Sequence, residues 1–177
     1  MVLDTCVLFP NYLRDTLLRL AEAELYEPLW SAGILEELER NIAEKVSPVK
    51  AKQLVEALSG AFPDSSVSGY AGLVPAMTND PKDRHVLAAA VCGQAHAVVT
   101  LNVKDFPARA ADPYEIEVIR PDDFLLDLLD LAPVDVLSVL RKQAGGYRRE
   151  PRDLHGLLDR LAAGGAPQFV AEFRRRL

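Results

Sequence analysis

Apolar positions along this chain alternate between two textures. Short continuous apolar runs are bounded by turn residues, and between them lie longer stretches where apolar residues return every three or four positions. The run Met1–Leu8 is apolar on both faces and rich in branched residues, the pattern of a buried parallel strand. Asp15–Leu25 carries helical spacing, and Tyr26–Trp30 is short and extended, with Pro28 blocking any continuation. Ser31 is a good N-cap for a helix whose Ile34, Leu38 and Ile42 share one face. Pro48 opens a further helix running to about Phe62, and the Ser- and Gly-rich segment from Pro63 to Pro75 forms a loop with a weak strand at Ser66–Tyr70.

The pattern sharpens at Asn79-Asp80-Pro81-Lys82-Asp83. Cap residues precede Pro81 at N1, Asp83 falls at N3, and Val86, Leu87, Ala90 and Val91 form an apolar stripe. Gly93 closes that helix. Ala97–Leu101 follows as a buried strand, ending in the loop Asn102–Pro107, and Ile116–Ile119 is a last short strand. Strands alternating with helices predict an α/β sandwich around a central parallel sheet of four or five members, over residues 1–120.

From about Arg120 the texture becomes helical throughout. Helices are expected at Asp122–Leu131, Val134–Gln143, Asp153–Ala163 and Gln168–Arg176, separated by Pro133, Gly145-Gly146, Pro151 and Gly164-Gly165-Ala166-Pro167. Residues 121–177 thus form a helical extension, and no fixed-period repeat suggests a solenoid.

Composition narrows the classes. The net charge of −6 and pI near 5.1 argue against general electrostatic attraction to nucleic acid, so a polyanion would have to meet local basic patches. With no apolar stretch of membrane-spanning length and no basic segment ahead of an apolar one at the start, a cytoplasmic location is expected. Cys6 and Cys92 lack CxxC spacing and a matching histidine set, which predicts reduced core thiols.

Four acidic residues stand in mostly apolar segments where these elements meet: Asp4, Glu37, Asp83 and Asp105. Asp4 and Asp105 lie near carboxyl ends of strands, where open parallel sheets place their ligand sites. The structural alternative for Asp4 is a cap on the following helix. Two carboxylates about 5 Å apart repel by roughly 3 kcal/mol at an effective dielectric near 20, a penalty that a dication removes. Oxygen-only ligands suit Mg²⁺ or Mn²⁺, and such an ion points to phosphate chemistry. Thr5 and Thr100 are candidate hydrogen-bond partners of the carboxylates, although a plain strand threonine is the simpler reading of each. Asp80 is either a further ligand or a cap. His85 reads as a solvated helix residue. Arg84, Lys104 and Arg109 lie near the acidic motifs and could meet a phosphate backbone, while the annex arginines read as ordinary surface charge.

Asp4-Thr5, the helix from Ser31 to Glu37-Leu38, the helix start Asp80-Pro81-Lys82-Asp83-Arg84-His85-Val86-Leu87-Ala88-Ala89-Ala90, and Val98-Val99-Thr100-Leu101-Asn102-Val103-Lys104-Asp105-Phe106-Pro107 together resemble the PIN domain. The resemblance is to the VapC-type ribonuclease toxins of bacterial toxin–antitoxin pairs, in the subgroup with a helical carboxyl-terminal extension. It implies a three-layer sandwich and a Mg²⁺- or Mn²⁺-dependent endoribonuclease with Asp4, Glu37, Asp83 and Asp105 as the acidic quartet. Asp4, Asp83 and Asp105 would be the metal ligands, Asn102 a supporting residue. Glu36 and Glu37 compete for one place, and Glu37 is taken because it precedes Leu38 as in the family pattern. RNA as substrate, a cognate antitoxin and a homodimer are further implications. Two other classes stay in view: a non-catalytic metal- and partner-binding module, and a Mg²⁺-dependent phosphatase. The latter is weakened because Cys6 stands two residues after Asp4, where a phosphatase would place a second Asp.

Overall fold

The computed structural model describes residues 1–177. Along the chain run β1 (Val2–Leu3), α1 (Thr5–Leu8), α2 (Asn11–Glu22), β2 (Trp30–Ser31), α3 (Ala32–Lys45), α4 (Pro48–Ala61), β3 (Ser66–Val67), α5 (Arg84–Cys92) and β4 (Ala97–Val99). Then come α6 (Ala108–Ala111), β5 (Glu117–Ile119), α7 (Pro121–Leu131), α8 (Pro133–Gly146), α9 (Leu154–Ala163) and α10 (Pro167–Arg175), with 3₁₀ turns at Pro63–Ser65, Tyr70–Ala76, Pro81–Asp83, Val103–Asp105 and Asp112–Tyr114. Two compact units result, Met1–Phe9 with Pro28–Ile119 and Pro10–Glu27 with Arg120–Leu177. No helix is long and apolar enough to cross a membrane.

In the first unit the strands form two parallel sets. One has the order β1-β4-β5, with Leu3 opposite Val99 and Val99 opposite Ile119; the other pairs β2 with β3. A single bridge, Val2 to Leu29, joins them, with Leu29 N–H donating to the Met1 carbonyl at 2.7 Å. The four- or five-stranded sheet expected from the sequence is therefore a three-stranded and a two-stranded set in contact at Leu29.

The first strand is far shorter than its apolar run. Asp4 keeps an extended backbone (φ −70°, ψ 154°), and the chain turns helical at Thr5. Val2, Leu3, Val7 and Leu8 are all completely buried, so a helix hidden on every side carries the same unbroken apolar signature as a buried strand. The helix of Ser31 behaves as its cap predicts, with Ser31 Oγ accepting from Ile34 N–H at 3.3 Å. Helix α5 is packed through Ala88, Ala89 and Ala90, fully buried small residues that let its backbone approach β1, β2 and β4. Cys92 is exposed, contrary to its expected place in the core.

The second unit is helical. Helix α2 packs against α8 and α9, α7 against α8 and α10, and α9 against α10. Leu13, Leu17 and Leu20 form the buried face of α2. Its polar side is equally specific: fully buried Gln143 on α8 accepts from Thr16 Oγ1 at 2.8 Å, and donates to the Tyr12 carbonyl at 3.2 Å and to Tyr147 Oη at 3.0 Å. The sequence boundary at residue 120 separates α2 from these helices; the packing groups them. Buried Asp122 of α7 accepts from the backbone N–H groups of Gln168 and Phe169, at 3.1 and 2.8 Å, supplying the first turn of α10 with a cap from outside that helix. The terminal arginines are engaged in ion pairs, Arg174 with Asp159, Arg175 with Glu172, and Arg176 with Glu172 and Asp130.

Candidate active site

Asp4 sits where β1 ends, its backbone N–H still donating to the Val99 carbonyl at 3.1 Å. As N-cap of α1 it makes no side-chain cap bond, so the capping alternative fails. Its carboxylate turns instead to β4: Thr100 Oγ1 donates to Asp4 Oδ2 at 2.6 Å, and Cys6 Sγ donates to the same oxygen at 3.1 Å. Burial, and then the charge of Asp4, push the Cys6 thiol up to about 12, which keeps it an S–H donor. Thr100 in turn accepts from Asn102 N–H at 3.0 Å, so Asn102 supports the site through its backbone. Thr100 is thus a ligand of the carboxylate, not a plain strand residue. The contribution of Cys6 was not foreseen; its only trace in the sequence is its place two residues after Asp4, in a segment read as strand.

Glu37 projects from α3 toward the same region. Thr5 Oγ1 donates to Glu37 Oε2 at 3.1 Å and lies 3.2 Å from the Ile34 carbonyl, so this threonine too serves a carboxylate. Glu36, its neighbour, is exposed. His85 is half-buried at the edge of the open cleft: Nδ1 lies 3.0 Å from the Lys82 carbonyl, which can only accept, leaving Nε2 without a hydrogen-bond partner 3.8 Å from Glu37 Oε2. The α3 backbone comes close here. Gly33 N–H donates to Tyr70 Oη at 3.1 Å, and a Cβ at Gly33 would stand 3.0 Å from that oxygen and 3.2 Å from His85 Cδ2.

Asp83 ends the 3₁₀ turn that leads into α5 and is 7 % exposed. Its Oδ2 has no hydrogen-bond partner. Burial, followed by the charge of Asp4, pushes its carboxyl up to about 7; Asp105 and Asp80 add to the rise and Lys82 opposes it. Lys82 Nζ lies 3.2 Å from Asp105 Oδ2 and 3.9 Å from Asp83 Oδ2, and the bond to Asp105 holds its ammonium above the usual lysine range. Asp80 acts as a cap, accepting from Lys82 N–H at 3.1 Å, while its own N–H donates to the Asp105 carbonyl at 3.0 Å and ties the two acidic turns together. Asp105 is positioned by its N–H donating to the Asn102 carbonyl at 2.8 Å.

Four acids from four elements are therefore brought into one neighbourhood, and a lysine ammonium is the cation among them. As placed, no three of the carboxylates close around a common point. Their chemistry nevertheless fits a hard dication: the donors are carboxylate oxygens, one of them buried without a hydrogen-bond partner, and burial together with the neighbouring negative charge raises the Asp83 carboxyl to about 7, a penalty that a cation would relieve. Asp4, Asp83 and Asp105 could hold such an ion.

Beside these carboxylates lies an open cleft of about 290 Å³ lined by Gly33, Glu37, Arg40, Lys82, Asp83 and His85. Of the cations expected near the site, Arg84 donates from Nε to the Asn79 carbonyl at 3.4 Å, and Lys104 and Arg109 are exposed and do not line this cleft. The cations that line the cleft are Arg40 and Lys82. The sequence did carry a sign of Arg40, which follows Gly33 and Glu37 at i+7 and i+3 on one helical face.

Comparison with known proteins bears on the whole arrangement. A family profile described as "PIN domain" matches residues 1–104, and one described as "VapC50 C-terminal domain" matches residues 121–175. Over 107 residues the chain is 48% identical to "Putative ribonuclease VapC50" of Mycobacterium tuberculosis H37Rv, covering 60% of this chain and 63% of that relative, less than two thirds of its length. A shorter similarity, 39% identity over 75 residues, links 42% of this chain to 17% of "Glutamyl-tRNA reductase" from two strains of Pseudomonas putida. No solved structure matches. With more than half its length matched by one profile, and with the acidic residues of that region gathered at the ends of its strands and helices, the chain belongs to the PIN domain family.

Proposed function

We propose that this protein is a metal-dependent endoribonuclease that hydrolyses RNA phosphodiester bonds, with Mg²⁺ or Mn²⁺ as its ion, and acts as the toxin of a toxin–antitoxin pair. The observation that carries this reading is the setting of Asp83, a buried carboxylate whose Oδ2 has no hydrogen-bond partner and whose proton affinity is raised first by burial and then by Asp4. The ribonuclease relative and the PIN domain match support the reaction class.

In this reading Asp4, Asp83 and Asp105 hold the ion, and Thr100 and Cys6 fix the Asp4 carboxylate so that it loses no rotamer freedom on binding. The ion, when bound, supplies Lewis acidity at the scissile phosphate and eases deprotonation of a water. Glu37, held by Thr5 on one side and with His85 on the other, orients the attacking water and accepts its proton. A cognate antitoxin and a homodimer belong to the same proposal; light scattering that gives the mass of one chain would remove the dimer.

The test is incubation of purified protein with a mixed pool of structured RNAs in Mg²⁺, Mn²⁺ or chelator, beside Asp4→Asn. Discrete products that need the metal and vanish in the variant support the reading. Metal binding by calorimetry without turnover of any RNA transfers it to a non-catalytic binding module, and release of phosphate from small phosphoesters to a phosphatase.

A further inference from the structure

Beyond the acids themselves, the walls of the adjoining cleft differ in chemistry along their length. Gly33, Glu37 and Arg40 recur at i, i+4 and i+7, so one face of α3 forms one wall, and Lys82, Asp83 and His85 form the other. At one end the space at position 33 is tight: a Cβ there would stand 3.0 Å from Tyr70 Oη and 3.2 Å from His85 Cδ2, so a side chain would need its neighbours to shift by a few tenths of an ångström. At the other end the wall carries a guanidinium, about one helical turn, roughly 5 Å along the axis, beyond Glu37. Glu37 itself is already engaged by Thr5 and lies beside His85. The cleft, about 290 Å³, opens to solvent along its length rather than enclosing a pocket.

We infer that this cleft is a nucleotide subsite in which Arg40 binds the phosphate next to the scissile one. The inference rests on the ribonuclease reading and adds to it where the strand lies. Three features favour this geometry. Glu37 and Asp83 line the same cleft and repel a phosphate unless an ion is present, whereas Arg40, one helical turn beyond Glu37, attracts one without the ion. A guanidinium presents a planar fork that matches two phosphate oxygens, which a lysine at this place would not. In a chain of net charge −6, a cation beside an acidic centre is also what local attraction of a polyanion requires. Lys82, by contrast, is occupied with Asp105 and Asp83, so the subsite depends on Arg40.

The experiment uses full-length protein and fluorescence anisotropy of the labelled RNA that wild type cleaves best in the mixed pool, with Ca²⁺ in place of Mg²⁺. Wild type, Arg40→Ala and Arg40→Lys are compared across a salt series, with Lys142→Ala on α8 as a control cation. Loss of one phosphate contact raises Kd by about tenfold in Arg40→Ala and lowers the slope of log Kd against log salt by about one, with partial recovery in Arg40→Lys. A scan of single neutral methylphosphonates then locates the contact: at the phosphate beside the cleavage point, Arg40→Ala loses its effect, because the charge it met is gone. In cleavage assays KM rises while kcat stays within about twofold. An Arg40→Ala protein with wild-type Kd and salt slope, or with an equal loss on every methylphosphonate, overturns the subsite while leaving the nuclease intact. Failure of wild type to bind or cut any RNA in the pool overturns both.

Discussion

The two units differ in how one segment buries its polar side chains, since both satisfy most buried polar groups but residues 79–85 do not. In the helical unit, Gln143, Thr16 and Asp122 are buried and satisfied: each oxygen or nitrogen meets a partner on another helix or in the next turn. In the unit that carries the acids, Asp83, His85 and Asn79 each leave a buried atom without a hydrogen-bond partner. A satisfied buried polar group stabilises its packing modestly and makes it specific; an unsatisfied one costs about 1–3 kcal/mol. The open groups fall within residues 79–85, and two of them, Asp83 and His85, line the cleft beside the acids, where a ligand could satisfy them. The difference separates side chains that hold the fold from side chains that wait for chemistry.

The sharpest way to break this contrast is to neutralise an open group. Asp83→Asn is expected to lower metal-dependent RNA cleavage by on the order of a thousandfold, measured as kcat/KM, while leaving the circular dichroism spectrum unchanged. Cleavage at wild-type rate would remove Asp83 from the site.

Opening a closed group should act the other way, on stability alone. Asp122→Ala strands two N–H groups at the start of α10 and is expected to cost about 2–3 kcal/mol in urea unfolding, with metal binding by calorimetry unaltered. Equal stability would mean that water replaces the carboxylate without penalty.

The pH dependence of the metal-free protein sharpens the comparison further. Folded Asp83 holds its proton up to about pH 7, whereas the unfolded chain releases it at an ordinary carboxylate value. Its contribution is therefore fully present below about pH 4 and lost as pH rises through about 7. In chelator, wild type should lose on the order of 2 kcal/mol more stability than Asp83→Asn between pH 5 and pH 8, read from urea midpoints. Parallel pH profiles for the two proteins would contradict the assignment. Addition of the ion at pH 8 should restore the wild-type loss and raise the melting temperature with concentration.

The smallest expected effect is at Cys6. Cys6→Val removes one donor to Asp4 but keeps Thr100, so stability should change by about 1 kcal/mol and metal affinity by a few fold. A loss as large as that of Asp83→Asn would make the thiol a direct participant.

Of the acids, Asp4 is legible from residue type alone, because a charge in an apolar run is conspicuous, whereas Glu37 and Asp83 stand among other charged residues and are picked out only by the resemblance of their motifs to the PIN domain. Caps are legible as well, since Ser31 and the Asp80-Pro81 pair act within one turn of themselves. Side chains that act across the fold left weaker traces. Thr5 and Thr100 look like ordinary β-branched residues until the partner elements arrive, and the role of His85 depends on its contact with Glu37 from another helix. The turn from strand to helix at Thr5 is hidden by complete burial, which erases the polar face that would betray the helical period. The exposure of Cys92 and the closeness of Arg40 to the cleft are equally matters of packing.

The origin of α2 has a consequence for synthesis on the ribosome. Its leucines emerge early, but the helices that cover them, α8 and α9, are translated roughly a hundred residues later. Through that interval an apolar helix face stands uncovered on a nascent chain that already carries all four acids. The helical unit can close only once α8 and α9 have been made, so a message cut or stalled after residue 120 would release a chain with Leu13, Leu17 and Leu20 uncovered, a substrate for chaperones and proteases. Quality control of translation would in that way act on this protein before any partner could.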